Sequence, residues 1–265
     1  MGVVIAIRVD ADDMIGGGHA IRCMAIAEIL IANNAQVHVL ARHLRPDFVT
    51  AFRKLGVIVH HLSGERLGPT GEDQCLAAEA FINALRLSGV SPQWVLVDHY
   101  GIGDPWHTAV RESGSRIACI DDLGDRYLDC DLVVYPLLSP PKHRYAASTP
   151  VHCTRLLGPE FALLSGSYRE HAVVSAQSRQ MGPIVVSFGL ADPLRLTEET
   201  TKILAAELPS KTQVVVVAPH TESLTRLVAM QLPASIRVVG PQASLATLFS
   251  TARLAVGGAG GTSIE

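Results

Sequence analysis

Three consecutive glycines followed by a histidine, Gly16–His19, are the residues of this sequence best suited to chemistry. They lie between an apolar run that predicts a strand, Val3–Val9, and a run with helical spacing of apolar residues that ends near Ala32. Glycines at such a turn let the backbone approach a ligand, and the helix N-terminus offers free N–H groups that suit a phosphate. His19 can exchange protons near neutral pH. The segment therefore indicates a phosphate-binding turn with a proton carrier beside it.

The glycine turn does not match the two common nucleotide-binding motifs. The G-x-G-x-x-G spacing of dinucleotide-binding proteins is absent, and no Gly-Lys-Ser/Thr follows as in a P-loop. A tight turn followed by a histidine that caps a helix is the simpler interpretation of the same residues. Both interpretations stay open on these residues alone.

Short apolar runs alternate with amphipathic runs, which predicts βαβ units and a parallel sheet covered on both faces. The strands predicted in the first half are Val3–Val9, Val37–Leu40, Val57–His61, Trp94–Asp98, Arg116–Ile120 and Leu132–Tyr135. The helices predicted between them are Ala20–Ala32, Asp47–Leu55, Asp73–Leu87 and Pro105–Ser113. A proline-rich stretch within residues 136–182 interrupts the pattern, which resumes at Ile184–Phe188 and ends with a strand at Leu254–Val256.

The interruption, interpreted as a crossover and linker, predicts two α/β domains. We expect an N-terminal Rossmann-like domain over residues 1–164, a linker over 165–182 and a C-terminal nucleotide-binding domain over 183–265. The helix after the glycine-rich turn Gly257–Thr262 has barely begun at Glu265, so the C-terminal domain is expected to be incomplete. Two such sheets predict a cleft at their carboxyl edges, where ligands of open α/β sheets bind. This plan resembles that of nucleotide-sugar glycosyltransferases of the GT-B type.

Composition disfavours several functions. The chain has 265 residues, 48% of them hydrophobic and 18% charged, which is ordinary for a soluble α/β protein. A net charge of −3 argues against a nucleic-acid-binding surface. The five cysteines are scattered and the eleven histidines form no H-E-x-x-H, so no metal or other cofactor is expected. With no apolar run of membrane-spanning length and no signal-peptide pattern, we expect a cytoplasmic protein.

Several motifs, in one order along essentially the whole chain, resemble those of one enzyme family. Arg8–Arg22 resembles the signature R-x-D-x-x-x-x-I-G-x-G-H-x-x-R of the UDP-2,4-diacetamido-2,4,6-trideoxy-β-L-altropyranose hydrolases of pseudaminic acid biosynthesis, which are related to spore-coat polysaccharide proteins. The later segments that resemble family motifs are Val97–Gly101, Ile120–Asp122, Cys130–Val134, Leu157–Leu164, Val186–Pro193 and Gly257–Glu265. The turn at Gly189 departs from the family's G-G-x-D-P pattern, because Leu190 replaces the second glycine.

The resemblance implies metal-independent hydrolysis of a UDP-linked diacetamido sugar at the anomeric carbon, with UDP and free sugar as products. It also implies that His19 is the general base that activates water. Substrate-binding roles are expected for residues at strand ends and in the turns that follow: Asp10, Asp12, Gly17, Gly18, Arg22, His99, Tyr100, Gly189 and Asp192. His99 is the second candidate for the base. The structural alternatives are that Asp10 and Asp12 shape a turn and that Asp192 caps a helix.

Nucleotide-binding roles are expected for the residues of the last glycine-rich turn: Gly258, Gly260, Gly261, Thr262 and Glu265. The N–H groups would hold the diphosphate, and the Glu265 carboxylate would bind the ribose hydroxyls. In the structural alternative, Thr262 and Glu265 satisfy each other in a capping-box-like turn. Asp121 and Asp122 are interpreted as turn residues, because no metal-binding partner is visible near them.

Two other functions stay open. A glycosyltransferase on the same scaffold would deliver the sugar to an acceptor other than water. A non-catalytic UDP-sugar-binding protein, or an inactive fragment, would bind UDP without turnover. In each case the expected partner is a small-molecule UDP-sugar, and the sequence leaves any protein partners unknown.

Because no acidic or histidine residues have a recognisable metal-ligand spacing, we predict that chelation leaves turnover of a UDP-sugar unchanged. Release of free sugar and of UDP would be measured before and after treatment with EDTA. A loss of activity that Mg²⁺ or Mn²⁺ restores would contradict a metal-independent reaction.

Overall fold

The computed structural model describes residues 2–64, 71–171, 180–242 and 244–258. The contacts within the chain divide it into two compact units. The first contains the residues up to Asp12 together with His19–Leu163. The second contains Asp13–Gly18 and the described residues from Leu164 onward. Each unit is built on its own parallel sheet.

The first unit contains a seven-stranded sheet in which all neighbouring strands are parallel. Its strands are β1 (Val4–Val9), β2 (Gln36–Ala41), β3 (Ile58–His61), β4 (Trp94–Asp98), β5 (Arg116–Ile120), β6 (Leu132–Tyr135) and β7 (Thr154–Leu157). The order across the sheet is β3-β2-β1-β4-β5-β6-β7. The central strands are nearly continuous apolar runs because both faces of a parallel sheet are covered.

Helices cover this sheet and bury apolar residues of its strands. They are α1 (Gly18–Ala32), α2 (Pro46–Lys54), α3 (Gly71–Leu87), α4 (Asp104–Arg111) and α5 (Lys142–Ser148), with a 3₁₀ turn at Pro159–Phe161. Trp106 of α4 and Phe81 of α3 are fully buried, and their rings meet edge to face at 5.0 Å. Both pack in one cluster with Ile117 of β5. The aromatic pair thus fixes two helices against the centre of the sheet.

The strand order reverses between β1 and β4. From β1 the chain proceeds outward through β2 to β3, and it then returns to form β4 on the other side of β1. Val9 and Asp98 are paired at the carboxyl ends of these two strands. The connections that follow β1 and β4 therefore leave toward opposite edges of the sheet. This opens a crevice at the carboxyl ends of the two strands, which is the usual position of a ligand in an open α/β sheet.

The second unit contains a four-stranded parallel sheet of order β10-β9-β8-β11. Its strands are β8 (Ile184–Ser187), β9 (Val214–Val217), β10 (Ile236–Val239) and β11 (Leu254–Gly257). The described helices of this unit are α6 (Gly166–His171), α7 (Leu196–Glu207), α8 (Thr221–Ala229) and α9 (Ala246–Thr251). A Cβ atom at Gly257 would collide with the Ser187 carbonyl oxygen, so glycine is required where β11 pairs with β8.

The predicted α/β class with two parallel sheets is confirmed. Trp94–Asp98 and Arg116–Ile120 are strands with the predicted bounds. Residues 136–182, interpreted from the sequence as a crossover and linker, instead contain α5 and β7, and β7 extends the first sheet beside β6. Strand β7 is short and lies between Pro150 and Pro159, so the flanking prolines predict a loop where the structure has a strand.

None of the described helices combines the length and hydrophobicity that a membrane-spanning segment requires.

Asp192 caps the start of α7. Its carboxylate accepts hydrogen bonds from the backbone N–H groups of Leu196 at 2.8 Å and Thr197 at 2.9 Å. The first N–H groups of a helix have no partner within the helix. Asp192→Ala should therefore lower the free energy of unfolding by about 1 kcal/mol, measured from urea denaturation. Asp192→Asn retains one acceptor and should lose less, whereas an unchanged urea midpoint in Asp192→Ala would show that the cap does not contribute.

Candidate active site

Polar side chains meet at the carboxyl ends of β1, β4 and β5 and at the start of α1. The residues joined there by hydrogen bonds, ion pairs or ring contacts are Arg8, Asp10, His19, Arg22, Asp98, His99, Tyr100 and Asp122. We refer to them as the histidine cluster. All of them belong to the first unit, and they lie where its strand order reverses. This position favours a ligand-binding role for the cluster.

His19 is the second residue of α1, and only 5% of it is exposed. Its ring meets the Tyr100 ring edge to face, with the centroids 4.5 Å apart. Its Nε2 lies 3.9 Å from Asp98 Oδ1, which is too far for a hydrogen bond. Among the described residues, none forms a hydrogen bond with its Nδ1. The imidazole is therefore held by ring packing, and its Nδ1 is not committed to a hydrogen bond with another described residue.

Burial lowers the pKa of His19 below its ordinary value of 6.5, because the imidazolium form loses hydration. The carboxylates of Asp98 and Asp122 oppose this effect, and the charge of Arg22 adds to it. The N-terminus of α1 also disfavours a positive charge on the ring. His19 is consequently neutral at pH 7, which is the form in which an imidazole acts as a general base.

Arg22, three residues after His19 on α1, bridges two carboxylates. Its Nε and Nη2 donate to Asp98 at 2.5 and 2.6 Å, and its Nη1 donates to Asp122 at 2.9 Å. Burial alone would lower the pKa of Arg22, but the two carboxylates outweigh burial and raise it above its ordinary value. This charge-assisted bridge joins α1 to the ends of β4 and β5, and it fixes Asp98 beside His19.

Tyr100 connects His19 to Asp122. Its hydroxyl donates to Asp122 Oδ2 at 3.1 Å, while its ring contacts the His19 ring. Tyr100 is 43% exposed, and its partial burial together with the neighbouring charge of Asp122 raises the pKa of its phenol to about 12. The phenol therefore stays protonated and remains a donor. The other carboxylate oxygen, Asp122 Oδ1, is buried and has no donor among the described residues.

His99 also belongs to the cluster, but both of its nitrogens are engaged. Its Nδ1 accepts a hydrogen bond from the Gly101 backbone N–H at 3.0 Å. Its Nε2 lies 3.3 Å from Asp10 Oδ2 and donates to it in the tautomer that this arrangement requires. Burial lowers the pKa of His99 as it does that of His19. Hydrogen bonding therefore distinguishes the two histidines, and it favours His19 as the base.

Asp10 serves as an anchor for the loops around it. Arg8 donates to both of its carboxylate oxygens at 2.7 Å, and the backbone N–H groups of Arg42 and His43 donate to its Oδ1 at 2.8 and 3.1 Å. Burial would raise the pKa of Asp10, but the hydrogen bonds from His99 and Arg8 outweigh burial and lower it well below its ordinary value. Both of its oxygens already accept hydrogen bonds from the protein. A substrate-binding role for Asp10 stays a prediction.

The predicted glycine turn adopts the conformation that needs glycine at one position. Gly16 has φ of 87°, in the left-handed region, whereas Gly18 is the first residue of α1. Gly17 is buried, and Asp12 lies in the bend after β1. Substrate-binding roles for Asp12, Gly17 and Gly18 stay predictions.

The site residues predicted in the second unit are described only in part. Gly189 follows β8 with φ of 83°, and the Asp192 carboxylate caps α7. Gly258 comes directly after β11. The remaining nucleotide-binding residues of the prediction lie outside the described residues: Gly260, Gly261, Thr262 and Glu265. Their roles, and the predicted cleft between the two sheets, stay predictions.

Arg8, Asp98 and Asp122 are the members of the cluster for which the sequence predicts no role in the site. The sequence predicts Asp122 as a turn residue, whereas the structure shows it paired with Arg22 and Tyr100. The available signal was an acidic residue at or just after the end of two successive predicted strands. Parallel strands bring such ends to one edge of a sheet, but pairing with Arg22 depends on contacts distant in sequence.

Each carboxylate of the cluster pairs with an arginine. Asp10 pairs with Arg8, and Asp98 and Asp122 pair with Arg22. In the part of the chain that the structure describes, no group of three or more His, Cys, Asp or Glu side chains could hold a metal ion. Metal independence of a reaction at this site stays a prediction.

Comparison with known proteins gives matches among solved structures alone. No protein-family model matches the sequence, and no curated protein matches it. MurG from Acinetobacter baumannii is 15% identical, with a TM-score of 0.56 over 99% of this chain and 74% of that chain. MnaA of S. aureus, in a co-structure with UDP, is 12% identical, with a TM-score of 0.58 over 98% and 75%. A ugt transferase from Siraitia grosvenorii, in complex with UDP, is 13% identical, with a TM-score of 0.54 over 99% and 79%.

Identities of 12–15% establish a shared fold and nothing finer. The matches span nearly all of this chain, including both parallel sheets. The chain therefore has the GT-B fold, with two Rossmann-like units, as the sequence predicts.

Proposed function

We propose that this protein binds a UDP-linked sugar and hydrolyses it at the anomeric carbon, releasing UDP and the free sugar. The observation that carries the proposal is His19, a buried imidazole that burial keeps neutral and whose Nδ1 has no hydrogen-bond partner among the described residues. It lies at the strand-order reversal of a GT-B fold. Two proteins of similar fold have structures with UDP, which supports UDP as the nucleotide.

The motif resemblance supports a finer proposal for the substrate. The segment Arg8–Arg22 resembles the signature of hydrolases that act on a UDP-linked 2,4-diacetamido-2,4,6-trideoxy sugar. The contacts of the cluster give these residues distinct tasks, since Arg8 holds Asp10 while Arg22 holds Asp98 beside His19. We therefore propose a hydrolase of nonulosonic acid synthesis, with this sugar nucleotide as its substrate.

The proposed reaction needs one proton acceptor and one leaving group. Water forms a bond to the anomeric carbon while the bond from that carbon to the β-phosphate oxygen breaks, so UDP leaves with the bonding electrons. His19 takes the proton that the water loses. The carboxylates of Asp98 and Asp122 stabilise the imidazolium that results, because their negative charges oppose the lowering of the His19 pKa by burial. Arg22 keeps both carboxylates in position.

A glycosyltransferase is the second candidate function. One protein of similar fold is described as a ugt transferase, and the same base could deprotonate an acceptor hydroxyl instead of water. Incubation of the protein with the UDP-sugar and no acceptor separates the two functions. Free sugar in equal amount to UDP supports hydrolysis, whereas turnover that begins only on addition of an acceptor supports transfer.

His19→Asn should lower kcat by about 10²–10⁴-fold, the usual effect of removing a general base. Asn preserves approximate size but has no basic nitrogen, so the affinity for the UDP-sugar should stay nearly unchanged. Steady-state kinetics and calorimetric titration with the UDP-sugar measure the two quantities.

Two histidine variants serve as controls for this prediction. His152 precedes β7 at the amino end of the first sheet and its side chain is 60% exposed, so His152→Asn should retain full activity. His99→Asn should reduce kcat less than His19→Asn does, because both nitrogens of His99 are engaged. Full kcat in His19→Asn together with its loss in His99→Asn would reassign the base to His99.

The pH dependence of kcat/KM should reflect the lowered pKa of His19. The neutral imidazole is the active form, so activity is lost as the pH falls through the pKa of His19, which burial places below 6.5. We expect a plateau above that value and an acidic limb with its midpoint below pH 6.5. An acidic midpoint above pH 7 would contradict a base depressed by burial.

A further inference from the structure

Asp122 has one carboxylate oxygen that the histidine cluster does not use. Its Oδ2 accepts hydrogen bonds from Arg22 Nη1 at 2.9 Å and from the Tyr100 hydroxyl at 3.1 Å. Its Oδ1 is buried, and no donor in the described residues forms a hydrogen bond with it. Leaving a buried acceptor unpaired is unfavourable. Such an atom in a folded protein therefore calls for an explanation, such as a ligand or an ordered water molecule.

The other two carboxylates of the cluster differ from Asp122 in this respect. Both oxygens of Asp10 accept hydrogen bonds from Arg8. Both oxygens of Asp98 accept hydrogen bonds from Arg22. Among these three carboxylates, the described contacts leave a buried oxygen without a donor only at Asp122.

The carboxylate of Asp122 lies in the surroundings of His19. The carboxylate of Asp122 acts on the charge state of His19, and Tyr100, which donates to Asp122, contacts the His19 ring. If His19 activates water at the anomeric carbon, the sugar ring must lie within a few ångströms of His19. The sugar hydroxyl and amide groups then come within reach of Asp122.

We propose that Asp122 Oδ1 accepts a hydrogen bond from a hydroxyl or amide N–H group of the bound sugar, which makes Asp122 a specificity-determining residue. The inference rests on the proposed function and names how its site recognises the substrate. A diacetamido sugar offers both kinds of donor, whereas the diphosphate of UDP offers only acceptors at neutral pH. The two carboxylates around Arg22 also leave one net negative charge, which disfavours a phosphate at this place. Asp122 therefore selects the sugar part of the substrate over its diphosphate.

Asp122→Asn tests this directly because it exchanges an acceptor for a donor at one place. Arg22 and Tyr100 both donate, so the amide oxygen of Asn stays opposite them and its NH₂ group takes the position of Oδ1. Affinities for UDP and for the UDP-linked 2,4-diacetamido-2,4,6-trideoxy sugar would be measured by titration calorimetry. The dissociation constant of the UDP-sugar should rise about tenfold to a hundredfold, the range for hydrogen bonds to a charged group, while that of UDP stays unchanged.

Two further variants control for disturbance of the fold. Asp122→Ser leaves a small hydroxyl and no carboxylate, and it should lose the preference for the UDP-sugar as Asp122→Asn does. Asp129→Asn is the matched control, since Asp129 also pairs with an arginine, Arg111 at 3.1 Å, but precedes β6 at the amino end of the sheet. Asp129→Asn should bind both ligands as the wild-type protein does. Unchanged UDP affinity in each variant shows that the protein remains folded.

Binding and turnover together separate failure of this inference from failure of the proposed function. Equal preference for the UDP-sugar in the wild-type protein and in both Asp122 variants would overturn the role of Asp122 while leaving hydrolysis intact. No preference for the UDP-sugar over UDP in the wild-type protein would overturn it as well. A preference that the Asp122 variants lose, in a protein that releases no free sugar, would support the role of Asp122 and overturn the proposed hydrolysis.

Discussion

The bridge that Arg22 makes between Asp98 and Asp122 is the interaction on which the rest of the site depends. It holds together one helix and the ends of two strands through charge-assisted hydrogen bonds of 2.5–2.9 Å. Because His19 lies one helical turn before Arg22, fixing the guanidinium also fixes the imidazole. The bridge neutralises part of the buried negative charge, so the carboxylates influence His19 without forming a tight ion pair with it.

The two histidines of the cluster show that burial alone does not distinguish one candidate base from another. Burial lowers the pKa of both His19 and His99. What differs is the use of their nitrogens, since His99 is held between the Gly101 N–H and the Asp10 carboxylate. A histidine with both nitrogens engaged orients its neighbours, whereas one held mainly by ring packing can change its protonation state without breaking a hydrogen bond.

Local sequence patterns predict the parts of this protein that depend on local physics. The glycine turn at Gly16–His19 and the strand Trp94–Asp98 are recognisable because turn chemistry and apolar runs are short-range signals. Strand β7 escapes such patterns because Pro150 and Pro159 flank it and it begins with polar residues, whereas the equally short β6 is a continuous apolar run.

The site shows the same limit. Asp98 and Asp122 become partners of Arg22 only when strands distant in sequence are paired. The sequence pattern therefore predicts where each strand ends but not which side chains meet there. The resemblance to a hydrolase family predicts that His19 is the base, but it does not indicate which carboxylate has a buried oxygen without a donor.

The strand order has a consequence for how the protein acquires its site during folding. Arg22 and Asp98 are separated by 76 residues, and Arg22 and Asp122 by 100 residues, so the bridge closes large loops of the chain. Contacts of such high sequence separation are costly in chain entropy and tend to form slowly. A chain with its local helices formed but β4 not yet docked beside β1 has no arginine bridge and no positioned imidazole. Recovery of the site during refolding would therefore report the closure of the central sheet rather than the formation of its helices.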